Sequence, residues 1–146
     1  MSAAHEAIRN LLGTYCELVD SAAWAEVGEL FADAEMVGAD GRPIARGAAA
    51  VAAMFQRMTH LHEGLPRTRH ITSNTVIDVH GAHASSRSAY VVFQGTARLP
   101  LQPIISGRYL DEFLRDDDGW RFARRQVFVD HAGDVSHHLT DRLRSL

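Results

Sequence analysis

The chain has 146 residues, 46% of them hydrophobic and 23% charged, with a net charge of −3 and one cysteine, Cys16. That size buries one core without staples, and the composition is ordinary for a globular chain, so disordered and fibrous classes are set aside. The mild negative charge gives no basis for a nucleic-acid or membrane partner, and no apolar run nears the ~20 residues that span a bilayer.

A lone cysteine allows no internal disulfide, so a reducing cytoplasm is the expected location. The opening Met-Ser-Ala-Ala-His-Glu lacks the basic-then-apolar pattern of a secretory signal. Ile8, Leu11, Leu12, Tyr15, Leu18 and Val19 recur at helical spacing and predict an amphipathic helix over 3–19. Asp20-Ser21 interrupts it and supplies capping side chains for a second short helix carrying Trp24, Val27, Leu30 and Phe31. Two short strands, Glu35–Val37 and Arg42–Ala45, flank the turn Ala39-Asp40-Gly41. Gly47 opens a third helix through Met58, striped by Val51, Met54, Phe55 and Met58.

Beyond Gly64-Leu65-Pro66 the pattern changes to strands. Arg69–Val79 and His83–Gln94 read as strands, with Thr96–Leu99 as an extension of the second. Ile104–Arg115 and Trp120–Val129 follow, joined by Asp116-Asp117-Asp118-Gly119, a strong hairpin signal. On the last strand, alternation puts Arg125, Val127 and Val129 on one face and Trp120, Phe122, Arg124 and Gln126 on the other. Leu139, Leu143 and Leu146 suggest a short terminal helix. Helices first and long antiparallel strands after predict one α+β domain over 1–146, helices packed on one face of a curved sheet.

The runs Tyr15-Cys-Glu-Leu-Val-Asp20, Trp24-Ala-Glu-Val-Gly-Glu-Leu-Phe31, Arg67-Thr-Arg-His70-Ile-Thr-Ser-Asn74 and Asp118-Gly-Trp-Arg-Phe122, in this order and spacing, carry a resemblance. Over roughly residues 5–131 the chain resembles the SnoaL-like branch of the nuclear transport factor 2 superfamily. The nearest group is that of scytalone dehydratase, hexachlorocyclohexane dehydrochlorinase and the bile-acid dehydratases. The resemblance implies a cone: a strongly curved antiparallel or mixed sheet around an apolar pocket, closed by the N-terminal helices. It also implies a homodimer or homotrimer. In the lyases of the group an aspartate at the end of the first helix orients a histidine that removes a proton. Asp20 and His70 fall on those positions, Tyr15 on a tyrosine of the bile-acid dehydratases, and Arg125 on a basic pocket position.

Departures narrow the chemistry. Val19 stands where scytalone dehydratase has a tyrosine, and Ala89–Gln94 offers no counterpart of its second histidine. Its polar pair corresponds to Gly107 and Tyr109, so scytalone is not the expected substrate. The aspartate of steroid isomerases would fall near Ala39, which disfavours that chemistry.

A carboxylate that holds one ring nitrogen of a histidine orients it and stabilises the imidazolium formed when it acts as a base. Tyr15 and Arg125 are candidates to polarise a carbonyl or departing oxygen. Residues five apart lie ~140° apart around a helix, so Tyr15 and Asp20 converge only if the helix stops before Asp20. Trp24, Phe55, Met58, Val91, Phe93 and Tyr109 are the expected apolar lining. The plain alternatives are Asp20 as a helix cap, His70 and Tyr15 as packed residues and Arg125 as an ion-pair arginine. His60-x-His62 lacks the acidic or cysteine neighbours of a metal site, and His137-His138 reads as a solvated tail. The reading is a cofactor-independent and metal-free dehydratase-like lyase, or an isomerase or cyclase, acting on a hydrophobic cyclic small molecule. The alternatives are a non-catalytic small-molecule-binding domain and the small subunit of a ring-hydroxylating dioxygenase.

Overall fold

Helix α1 spans Ala3–Asp20 in the computed structural model, which describes residues 2–140. Ser2 caps it by accepting from the His5 backbone N–H, and Ile8, Leu12, Tyr15, Cys16 and Val19 form its buried stripe. The helix runs through Asp20, and Ser21 is its C-cap. Asp20 therefore does not cap the second helix, α2 (Trp24–Leu30), whose N-cap is Ala23 with no side-chain bond. Ala22, at φ 56°, makes the break between the two helices.

Strands β1 (Glu35–Val37) and β2 (Pro43–Arg46) form a short antiparallel pair, followed by α3 (Ala48–Met58). Gly28 lets α2 and α3 approach closely, since a Cβ there would stand 2.4 Å from the Ala48 carbonyl oxygen. Four long strands follow: β3 (Thr68–His80), β4 (His83–Gln94), β5 (Gln102–Asp116) and β6 (Gly119–Ala132). The six strands form one mixed sheet in the order β2-β1-β6-β5-β4-β3, with β1 parallel to β6 and the other neighbours antiparallel. The architecture is α+β, with the helices at the N-terminal end and a curved six-stranded sheet.

Bulges bend the sheet and reset its alternation. Glu112 pairs with Arg124 and Phe113 with Phe122, which leaves Ala123 as an extra residue in β6. The phase flips there. Phe122 and Arg125 therefore share the interior face, both fully buried, where simple alternation had placed them on opposite faces. Phe122 stacks on Phe31 at 4.8 Å and lies 5.0 Å from Phe113, while Tyr15 meets Phe31, Phe55 and Tyr109 edge-on at 6.1–6.2 Å. Burying side chains of this size contributes roughly 1.5–3 kcal/mol each.

Two expectations need correction. Thr96–Leu99 is a turn, closed by the Thr96 N–H on the Leu99 carbonyl and the Leu99 N–H on Thr96 Oγ1, both 2.9 Å. The segment from Gly133 to Thr140 carries no helix; Leu139 instead forms an isolated bridge with Thr59. Leu143 and Leu146 lie outside the described residues. Among the described residues no helix is long and apolar enough to cross a membrane.

Candidate active site

Strand β3 is an edge of the sheet, so half of its backbone N–H groups face away from β4. The end of α1 covers that edge, tied on by the Cys16–Thr72 side-chain contact at 3.4 Å. Asp20 satisfies the edge. Its Oδ2 accepts from the His70 backbone N–H at 2.9 Å, and its Oδ1 from Thr68 Oγ1 at 2.9 Å and His70 Nδ1 at 2.6 Å. An ionised carboxylate only accepts, so the proton of a neutral His70 sits on Nδ1 and Nε2 carries the free lone pair. The side chains keep little exposure, 9% for His70 and 13% for Asp20. The imidazole is thus held in one orientation, with little of it exposed.

Tyr15 and Arg125 form a second group, deeper in the molecule. Because α1 continues through Asp20, Tyr15 and Asp20 diverge around the helix: Asp20 turns to the β3 edge and Tyr15 to the core. Arg125 grips Asp111 with Nε and Nη2 at 2.8 and 2.9 Å, and neither side chain has any exposure. Its guanidinium lies 3.7 Å from the Tyr109 ring centroid, 4.3 Å from Tyr15 and 5.1 Å from Phe122. Burial works against this charge, but the Asp111 carboxylate outweighs it and raises the guanidinium pKa further. Burial also raises Tyr15 and Tyr109, partly offset by Arg125, which keeps both phenols protonated. Along β4, Val92 opposes His70, while Ser86 lies in the row of Asp111 and Arg125. Those rows are about 20 Å apart at the backbone. The four residues thus form two pairs, and Arg125 stands as a buried ion-pair residue without solvent access.

The expected lining divides as well. Trp24 stacks on Phe55 at 5.6 Å, with Met58 packed half-buried nearby in the same core. Tyr109 lies on the interior face, stacked on Tyr90 at 4.2 Å. Val91 and Phe93 do not belong with them. The residues of β4 on the His70 face are the buried Tyr90, Val92 and Gln94, which leaves Val91 and Phe93, half-exposed, on the opposite face. An open hollow of about 700 Å³ is bordered by His62, Arg67, Thr96, Arg98 and His137, and by none of the six expected lining residues.

His138, expected in a solvated tail, is instead buried beside His70. Its side chain is buried, at 5% exposure, with its ring centroid 6.4 Å from that of His70 and the planes at 68°. Burial first, and His70 second, push its pKa down to about 4. Long-range bonds fix the tail there. The His60 N–H donates to the His138 carbonyl at 2.8 Å, the Thr140 N–H to the Met58 carbonyl at 2.9 Å, and the fully buried Gln94 amide to the Pro66 and His137 carbonyls. No local signal in His137-His138 announces this. Among the described residues no group of three His, Cys, Asp or Glu is placed to hold a metal ion.

Comparison with known proteins gives a consistent picture. The family model of the SnoaL-like domain matches residues 1–126. An NTF2-like protein with a cystatin-like fold from Novosphingobium aromaticivorans superposes with a TM-score of 0.75 at 26% identity, covering 90% of this chain and 85% of that one. A provisionally assigned scytalone dehydratase from the same bacterium gives 0.70 at 26%, covering 89% and 86%. ActVI-ORFA from Streptomyces coelicolor shares the fold at 18% identity, with a TM-score of 0.73 over 90% of this chain and 100% of that one. No curated protein sequence matches the chain.

Proposed function

The chain belongs to the SnoaL-like domain family, and on that premise we propose that it is a cofactor-independent lyase or isomerase acting on a hydrophobic cyclic small molecule. The observation that carries this reading is the double hold of Asp20 on His70, at the backbone N–H and at Nδ1. The backbone bond fixes the strand edge against the helix. Here the carboxylate also fixes the tautomer that leaves Nε2 as a base. The likeness to a provisionally assigned scytalone dehydratase at 26% identity agrees with dehydratase-like chemistry.

His70 Nε2 takes a proton from a carbon next to a carbonyl, and the electron pair moves onto the carbonyl oxygen as an enolate. Asp20 stays ionised and stabilises the imidazolium. If the β-carbon bears a hydroxyl, the enolate collapses and expels it. The proton on His70 passes to the departing oxygen, giving water and a neutral imidazole. Without a leaving group the proton returns to another carbon, and the result is isomerisation.

Trp24 follows Asp20 by four residues, and the Met58 carbonyl is bonded to Thr140, two residues past His138. Trp24 is only partly buried and stacks on Phe55, and an apolar side chain so soon after Asp20 in the chain supports an apolar substrate. Tyr15 and Arg125 brace the core in this reading.

The test uses 3-hydroxycyclohexanone in D₂O, followed by NMR for exchange at C2 and for loss of water to cyclohexenone. Wild-type protein is expected to catalyse one or both, and His70→Gln neither. Binding of the ketone with no exchange or elimination would favour a non-catalytic binding domain.

A further inference from the structure

We infer that His138 is a second catalytic residue of this site, a neutral imidazole that donates a hydrogen bond to the substrate's carbonyl oxygen while His70 takes the proton from carbon. The inference rests on the base assignment of His70 and adds the group that holds the enolate. Its first support is position: the two rings are 6.4 Å apart, close enough for one small molecule against His70 to touch His138 as well. The second is an unmet bond. His138 Nδ1 is buried and has no hydrogen-bond partner among the described residues. An unsatisfied buried nitrogen is destabilising, and the protein keeps it there with main-chain bonds from His60 to His138 and from Thr140 to Met58. Such an arrangement fits a polar atom that arrives with the substrate.

The charge state fits the role. With a pKa pushed down to about 4 by burial and by His70, the ring is neutral at neutral pH. A neutral imidazole gives up no proton to the carbonyl; it polarises the oxygen and stabilises the enolate as the charge develops. The proton balance stays with His70: it accepts from carbon and returns the proton to the departing hydroxyl or to carbon. His138 begins and ends the cycle neutral.

The same ketone separates this inference from the one beneath it. His138→Ala should lower kcat for C2 exchange roughly 10²–10³-fold, as for the loss of one oxyanion donor, with a smaller change in KM. His138→Gln, whose amide keeps an N–H donor, should recover at least about tenfold of that loss. Wild-type kcat in His138→Ala, alongside an inactive His70→Gln, would overturn the inference and leave the base standing. Wild-type exchange in His70→Gln would overturn the base reading instead. Ring ¹⁵N spectra decide the matter for His138 without turnover. Saturating cyclohexenone should move the His138 Nδ1 resonance and leave that of His62 in place. A His138 resonance that stays where it was would overturn the inference.

Discussion

The Asp20 carboxylate reaches across from the last turn of α1 and holds His70 at both its backbone N–H and its ring Nδ1, at 2.9 and 2.6 Å. The first bond fixes where β3 lies against the helix; the second fixes how the imidazole faces. Substituting Asn keeps the volume but offers one acceptor and one donor in place of two acceptors. Asp20→Asn is expected to lower exchange of 3-hydroxycyclohexanone roughly 10²–10⁴-fold. It should also cost about 1.5–3 kcal/mol of stability in urea unfolding, since hydrogen bonds to a charged group are lost.

The buried Arg125–Asp111 pair calls for a double-mutant cycle. Removing one partner strands the other charge inside the core, so Arg125→Met and Asp111→Leu should each cost about 3–5 kcal/mol. The double variant should be clearly more stable than the sum of the singles, measured by the same unfolding experiment. Because their row lies far along the strands from His70, the folded double variant should exchange C2 protons at a rate within about tenfold of wild type.

Gly107 is held by space. A Cβ there would stand 1.9 Å from the Phe128 carbonyl oxygen and 2.7 Å from the Tyr90 hydroxyl. That hydroxyl already donates to the same carbonyl at 2.9 Å. Gly107→Ala must push both strands and the tyrosine, at a cost of about 3 kcal/mol or more. A thermal melt showing an unchanged Tm would contradict the close approach.

His138 makes stability depend on pH. Its folded-state pKa, about 4, lies below the 6.5 of an exposed histidine, so the unfolded chain binds the extra proton first. Above about pH 6.5 the ring is neutral in both states and adds no pH dependence; as pH falls from there toward about 4, stability drops, by something of the order of 3 kcal/mol. Asp20 opposes the shift, while His70, His60 and His62 add to it. His138→Gln should flatten the denaturation midpoint over this window. A midpoint with the same pH slope in both proteins would contradict the burial of this ring.

Much of the fold was legible because it rests on local periodicity. The apolar stripe of α1, the span His83–Gln94 and the Asp116–Gly119 hairpin follow from spacing and turn chemistry. The face of each strand was less legible. The extra Ala123 in β6 turns Phe122 toward Arg125, and the register of β4 against β3 selects Val92 over Val91. Pairing between distant segments decides both. Asp20 and His70 were singled out by resemblance, and the structure shows them in contact. His138 had no such signal. Its place depends on Gln94, Thr59 and Met58, which lie far away in sequence and meet the tail only in the folded chain.

The claim that His70, oriented by Asp20, removes a proton from carbon is tested most directly with 5-nitrobenzisoxazole. Loss of its C3 proton to a base breaks the N–O bond and releases a coloured cyanonitrophenolate. The initial rate is compared between wild type, Asp20→Asn and His70→Gln. The account predicts a wild-type rate at least about a hundredfold above that of His70→Gln, with Asp20→Asn between them. A wild-type rate no higher than that of His70→Gln would contradict it.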